Sequence, residues 1–153
     1  MHYEFVPGDE IVIAPGRTVK RIRALVAIPA FSVSAGDVGG YVEADKNLRG
    51  NAWVSGDAQV SGNAWVFGDA QVSGDAQVSG NAAIFWASRV GTENGTFTAY
   101  KTKDGGIEIT RGCFRGSIDE FLAASEKKHD DRTHLEYRLL VEVAYSRLTT
   151  PKE

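Results

Sequence analysis

Lys101, Lys103, Arg111 and Arg115 crowd into one short stretch that also holds Phe114 and Ser117. Cations beside a helix start make an anion site, because the head groups supply charge and the first-turn N–H groups supply donors and a favourable dipole. An aromatic ring such as Phe114 or Tyr100 adds a face on which a base can stack. The set therefore reads as a pocket for an anionic, nucleotide-like small molecule. A solvated basic hairpin fits the same residues, since helix capping alone accounts for Ser117.

Acid–base and redox candidates are sparser. His129 and His134 flank Asp130 and Asp131 in KKHDDRTH, a pattern that could hold a metal or orient a general base. No further ligand stands at a supporting spacing, so a polar interhelical loop is the simpler reading. Cys113 lies between Arg111 and Arg115, which could lower its thiol pKa. No histidine or acid is placed to use it, and a structural cysteine is expected. Walker, GxSxG and dinucleotide signatures are absent. The sequence assigns no catalytic residue, metal or cofactor, and leans away from an enzyme.

What must position these groups is a repeat. From Asn51 the chain reads NAWVSG, DAQVSG, NAWVFG, DAQVSG, DAQVSG, NAAIFW. Aliphatic residues recur at every sixth position: Val42, Leu48, Val54, Val60, Val66, Val72, Val78, Ile84 and Val90. Small–x–aliphatic is one short strand with both side chains turned inward. The Gly-Asp or Gly-Asn pair that follows supplies a corner. A hexapeptide period points to a parallel β-helix. Three strand-plus-corner units close one coil, so residues eighteen apart stack: Val54 under Val72, Val60 under Val78, Val66 under Ile84, Phe67 under Phe85 and Asn63 under Asn81. About three coils follow, a stack of about 14 Å. Periodicity alone allows either hand.

The hexapeptide pattern resembles the left-handed β-helix superfamily. Arg21 to Val54 is similar to the N-terminal part of YdcK-like proteins, and GCFRGSIDEF resembles uncharacterised phage and prophage proteins with the same layout. The resemblance implies a left-handed coil, a homotrimer and a phage association. It also implies where chemistry would be found. Hexapeptide acyltransferases generally use a histidine on a coil, and γ-class carbonic anhydrases need three. Val33 to Val90 contains none; the histidines are His2, His129 and His134. An atypical acyltransferase remains the alternative, with His129 or His134 reaching an inter-subunit cleft, and a virion or scaffold component is a third reading.

Around the repeat, residues 1–32 read as an N-terminal β-hairpin cap, 33–91 as the β-helix, and 92–153 as a hairpin plus two helices. Thus the expected class is mainly β. The basic residues Arg17, Lys20, Arg21 and Arg23 form an anion-binding strip or, more simply, a charged face that blunts a strand edge. The hairpin alternates through TFTAYKT, turns at Asp104-Gly105-Gly106 and returns through Ile107 and Ile109. Ser117-x-x-Glu120 and Thr133-x-x-Glu136 are capping-box signatures that open the two helices. Outward Trp53 and Trp65 need cover, at a subunit contact or under a terminal segment. The second helix is apolar around much of its circumference, so Tyr137, Val141 and Tyr145 are assigned with the tryptophans to an oligomer interface.

A net charge of −3 gives no nucleic-acid footprint. One cysteine fits a reducing compartment, the N-terminus lacks a signal-peptide pattern, and no apolar run reaches membrane-spanning length. The expectation is a cytoplasmic, non-catalytic, oligomeric binding protein of phage type, sequestering a nucleotide-like signal or a host protein to counter defence.

Overall fold

The computed structural model describes residues 2–80, 83–91, 95–111 and 114–149. Asn81 and Cys113 fall outside them, and with them the expected Asn63–Asn81 stack and any reading of the thiol. The fold is mainly β with two helices. In chain order its elements are β1 (Tyr3–Ala14), β2 (Arg17–Ala24), β3 (Val38–Val42), β4 (Trp53–Val54), β5 (Gln59–Val60), β6 (Gln71–Val72), β7 (Gln77–Val78), β8 (Ile84–Val90), β9 (Gly95–Lys101), β10 (Ile107–Arg111), β11 (Phe114–Ser117), α1 (Ile118–Lys128) and α2 (Asp131–Thr149).

The repeat forms short strands that pair in parallel at an offset of eighteen residues. Tyr41 pairs with Gln59 and Gln59 with Gln77, Trp53 pairs with Gln71, and Leu48 bridges Val66. The inward Ala and Val side chains are what hold these two-residue strands. Val54, Val60, Val66, Val72 and Val78 are 0% exposed, as are Ala58, Ala70 and Ala76. Corners turn at glycines with positive φ. Gly62, at φ +64, shows why no other residue fits: a Cβ there would sit 2.3 Å from the Ser79 carbonyl oxygen. Asn47 is buried inside one corner. Its amide donates to the carbonyls of Gly62 and Ala64 at 3.1 and 2.8 Å, and its carbonyl accepts the Ala44 N–H.

The sheets are mixed rather than purely parallel. One runs β1-β2-β3-β5-β7, with β1, β2 and β3 antiparallel and the remainder parallel. The N-terminal hairpin therefore extends the repeat's own sheet. The repeat also ends sooner than its hexads suggest. Ile84 and Val90 belong to β8, which pairs antiparallel with β9 (Ile84 with Tyr100, Phe85 with Ala99). Phe85 consequently packs on Phe97, with ring centroids 6.4 Å apart, while Phe67 meets Trp65 at 4.9 Å. Antiparallel pairing wins because Phe97, Ala99 and Tyr100 bring a far larger apolar surface to β8 than one more two-residue rung would.

The C-terminal sheet, β11-β10-β9-β8, is antiparallel throughout. One face lies on the repeat, where the Thr110 hydroxyl donates to the Gln71 carbonyl and the Gln71 N–H donates to Thr98. The other face packs with Phe121, Tyr137, Val141, Ala144 and Leu148 in a second core. Helix α1 opens as the sequence indicates: Ser117 Oγ accepts the Glu120 N–H at 3.2 Å and Glu120 Oε1 accepts the Ser117 N–H at 2.9 Å. Helix α2 differs. It begins at Asp131, and Asp130 rather than Thr133 caps it, accepting the Thr133 N–H at 2.9 Å. The Asp carboxylate takes the N-cap role and its charge favours the helix dipole.

Candidate functional site

The six residues assigned to one anion pocket are distributed over four places. Lys101 closes β9 and Lys103 stands in the turn that follows it. Arg111 and Arg115 are separated by register. Thr110 lies opposite Arg115 and Arg111 opposite Phe114, so the two arginines project from opposite faces of the sheet. Arg111 stands with Phe114 on the helix side, its guanidinium 5.7 Å from the Tyr137 ring centroid, and Phe114 packs on Phe121 at 5.4 Å. Arg115, on the repeat side, pairs with Glu108 at 3.2 Å. Ser117 caps α1 and lines a separate, mainly apolar groove with Ile107, Ile118, Val141 and Tyr145. The difference is one of parity: the register of β10 with β11 sets which arginine faces which way.

Lys101 and Lys103 do share a cleft. It is a groove of about 510 Å³ between the parallel strands and the β9–β10 turn, lined also by Gln59, Gln77, Ser61 and Ser79, with Ile13 of the N-terminal hairpin as a further wall. The turn is held there by backbone bonds. Ala76 bridges Thr102, and the Lys103 N–H donates to the Asp75 carbonyl at 3.3 Å. Thr102 and Gly106 tie the turn to Asp104, whose carboxyl is held below its usual range by those hydrogen bonds. The two glutamines are consecutive rungs of one outward column, and Ser61 and Ser79 repeat at the same offset. Two lysines thus line one groove with two glutamines and two serines. Such a groove can neutralise an anion and read hydrogen-bonding edges beside it. The stacked glutamines were visible in the repeat; what sequence could not give was the turn that brings the lysines to them.

A second polar cluster has a different job. Tyr100 is fully buried; its hydroxyl donates to Glu108 at 2.8 Å and receives the Ser73 N–H at 3.3 Å. Burial pushes the Tyr100 pKa up, and its bond to Glu108 adds to this while Ser73 acts the other way. The proton therefore stays on the tyrosine as a donor, and the cluster ties the C-terminal sheet to the repeat.

The N-terminal cations are all engaged within the chain. Arg17 pairs with Glu43 at 2.8 Å and Arg23 with Glu4 at 2.8 Å, while Lys20 stands 5.2 Å from the Phe5 ring centroid. Arg21 is the most enclosed. It bonds Asp9 at 3.0 Å, Tyr41 at 2.7 Å and the Gly39 and Gly56 carbonyls at 2.9 and 3.2 Å. These contacts clamp the hairpin to the repeat. Glu43 accepts from Arg17 and from the Gly62 N–H at 2.7 Å, which pull its carboxyl down to about 2.

Of the histidines outside the repeat, His134 bonds Ser125 at 2.9 Å and His129 lies 5.4 Å from the Tyr137 ring, so both are packed between the helices. Among the described residues no group of three His, Cys, Asp or Glu side chains could hold a metal ion, and no helix is long and apolar enough to cross a membrane.

The interface assignment needs revision. Trp53 is 2% exposed, in the chain's own core beneath His2. Tyr137 and Val141 are likewise buried, against α1 and the C-terminal sheet. These three are spent inside one chain. Trp65 and Tyr145 do remain on the surface. Comparison with family models, with curated proteins and with solved structures gave no match for this chain.

Proposed function

We propose that this chain is a non-catalytic binding protein that takes an anionic, nucleotide-like small molecule in the Lys101–Lys103 groove. The repeat, in this reading, is a short left-handed parallel β-helix of about two coils, since Ile84 and Val90 leave it for β8, its stacked Gln and Ser columns serving as a ruled wall. The observation that carries the proposal is convergence: Lys101 and Lys103 share one cleft with Gln59, Gln77, Ser61 and Ser79. Phosphate-like charge would meet the ammonium groups, and the amides would bond the rest of the ligand. A rigid scaffold that binds without turning over suits sequestration, and if the resemblance of GCFRGSIDEF to phage and prophage proteins holds, the captured molecule is a host signal.

Native mass spectrometry of the chain purified from bacterial cytosol tests this directly. A bound mass, released on denaturation as an anionic nucleotide, is the expected result. In titrations with that nucleotide the double variant K101E/K103E should bind at least about tenfold more weakly, each charged hydrogen bond lost being worth about 1.5–3 kcal/mol. S117A, on the other groove, should bind unchanged. A chain recovered empty that also binds no nucleoside diphosphate or pyrophosphate would end the proposal.

A further inference from the structure

Helix α2 has two apolar faces. Tyr137, Val141, Ala144 and Leu148 form the buried one. On the opposite side Leu135, Leu139 and Val143 recur at i, i+4 and i+8 and are 48%, 52% and 46% exposed. At 100° per residue these three span about 80°, centred nearly diametrically across from the buried set. A helix covered on one side needs only one apolar face; a second continuous stripe of large aliphatics is the pattern of a helix that packs twice.

We infer that this stripe is the contact surface for a second copy of the same chain, with two α2 helices lying antiparallel across a two-fold axis at Leu139. The sequence of the stripe fits its own reversal. With Leu139 opposite Leu139, Leu135 of each copy meets Val143 of the other, so every layer is aliphatic on both sides. Charge fits as well. Arg138 and Glu142 lie on one flank of the stripe, and reversal lines them up as Glu142, Arg138, Arg138, Glu142 at steps of about 3 Å, so each arginine meets the other copy's glutamate while the two arginines stand side by side. On the opposite flank Glu136 accepts the Gly91 N–H of its own chain at 2.6 Å. The aliphatic layers run from Leu135 to Val143, about 12 Å along the helix. That is a small interface, so the dimer forms at micromolar rather than nanomolar concentration. This inference stands apart from the ligand groove, which α2 does not line.

Sedimentation equilibrium of the full chain across a concentration series reads the outcome. A monomer–dimer equilibrium is expected. L139E should raise the dissociation constant at least about a hundredfold, by setting two carboxylates in the apolar centre. R138E should weaken it by about tenfold, and R138E/E142R should recover most of that loss. Circular dichroism checks that each variant is folded, as expected for side chains on an exposed face. A chain monomeric at every concentration, a trimer, or a dimer indifferent to both L139E and the charge exchange would overturn the inference.

Discussion

Glu43 sits where three donors converge: the Arg17 Nε and Nη2 groups at 3.2 and 2.8 Å, and the Gly62 N–H at 2.7 Å. All favour the ionised carboxylate, which is why its pKa falls from the ordinary 4.5 to about 2. A depressed folded-state pKa makes the carboxylate's contribution full above the unfolded value and lost as pH falls through the folded one. Urea midpoints should therefore drop between pH 4.5 and pH 2, and E43Q should flatten that part of the profile while costing about 1 kcal/mol at neutral pH. A profile that E43Q leaves unchanged would place the acid sensitivity elsewhere. At this scale the sequence was legible in part. That Arg17 and its neighbours would be structural was the simpler reading of a basic strand, but Glu43 and Gly62 could not be named as partners, because they meet Arg17 only after the hairpin folds back on the repeat.

Elements were read best where local chemistry decides them. The hexads gave strands and corners, and Ser117 with Glu120 gave the start of α1, because a capping box needs nothing beyond four residues. S117A should accordingly lower stability by about 1 kcal/mol in chemical denaturation, with the loss seen in α1 helicity. Full retention would mean that Glu120 and the strand before it suffice. Reading failed where a choice depended on competition between distant partners. Ile84 and Val90 keep the hexad spacing, yet β9 outbids another rung for them. Thr133 carries the capping pattern, yet Asp130 three residues earlier takes the role. The separation of Arg111 from Arg115 is the same kind of miss, since the register between two strands cannot be counted from spacing alone.

At the scale of the whole molecule two apolar cores lie on opposite faces of the C-terminal sheet, one in the repeat and one under the helices. Tyr100 joins the first to the sheet through Ser73 and Glu108. Y100F keeps the ring and removes the hydroxyl, leaving Glu108 and the Ser73 N–H short of a buried partner. A loss of about 2–3 kcal/mol is expected. Amide exchange should show β9 and β10 opening before β5 and β7, a separation that would be absent if the sheet were held by apolar packing alone. The same architecture has a consequence for how such a chain can change length. Every parallel pair is offset by eighteen residues, and antiparallel strands close the stack at both ends. Duplication of eighteen residues within the repeat would keep the pairing offset of its strands. Duplication of a single hexad would deliver the C-terminal sheet to the wrong column, parting Thr110 from Gln71 and Lys101 from the glutamines. Growth in steps of eighteen residues is silent in this molecule, and growth in steps of six is not.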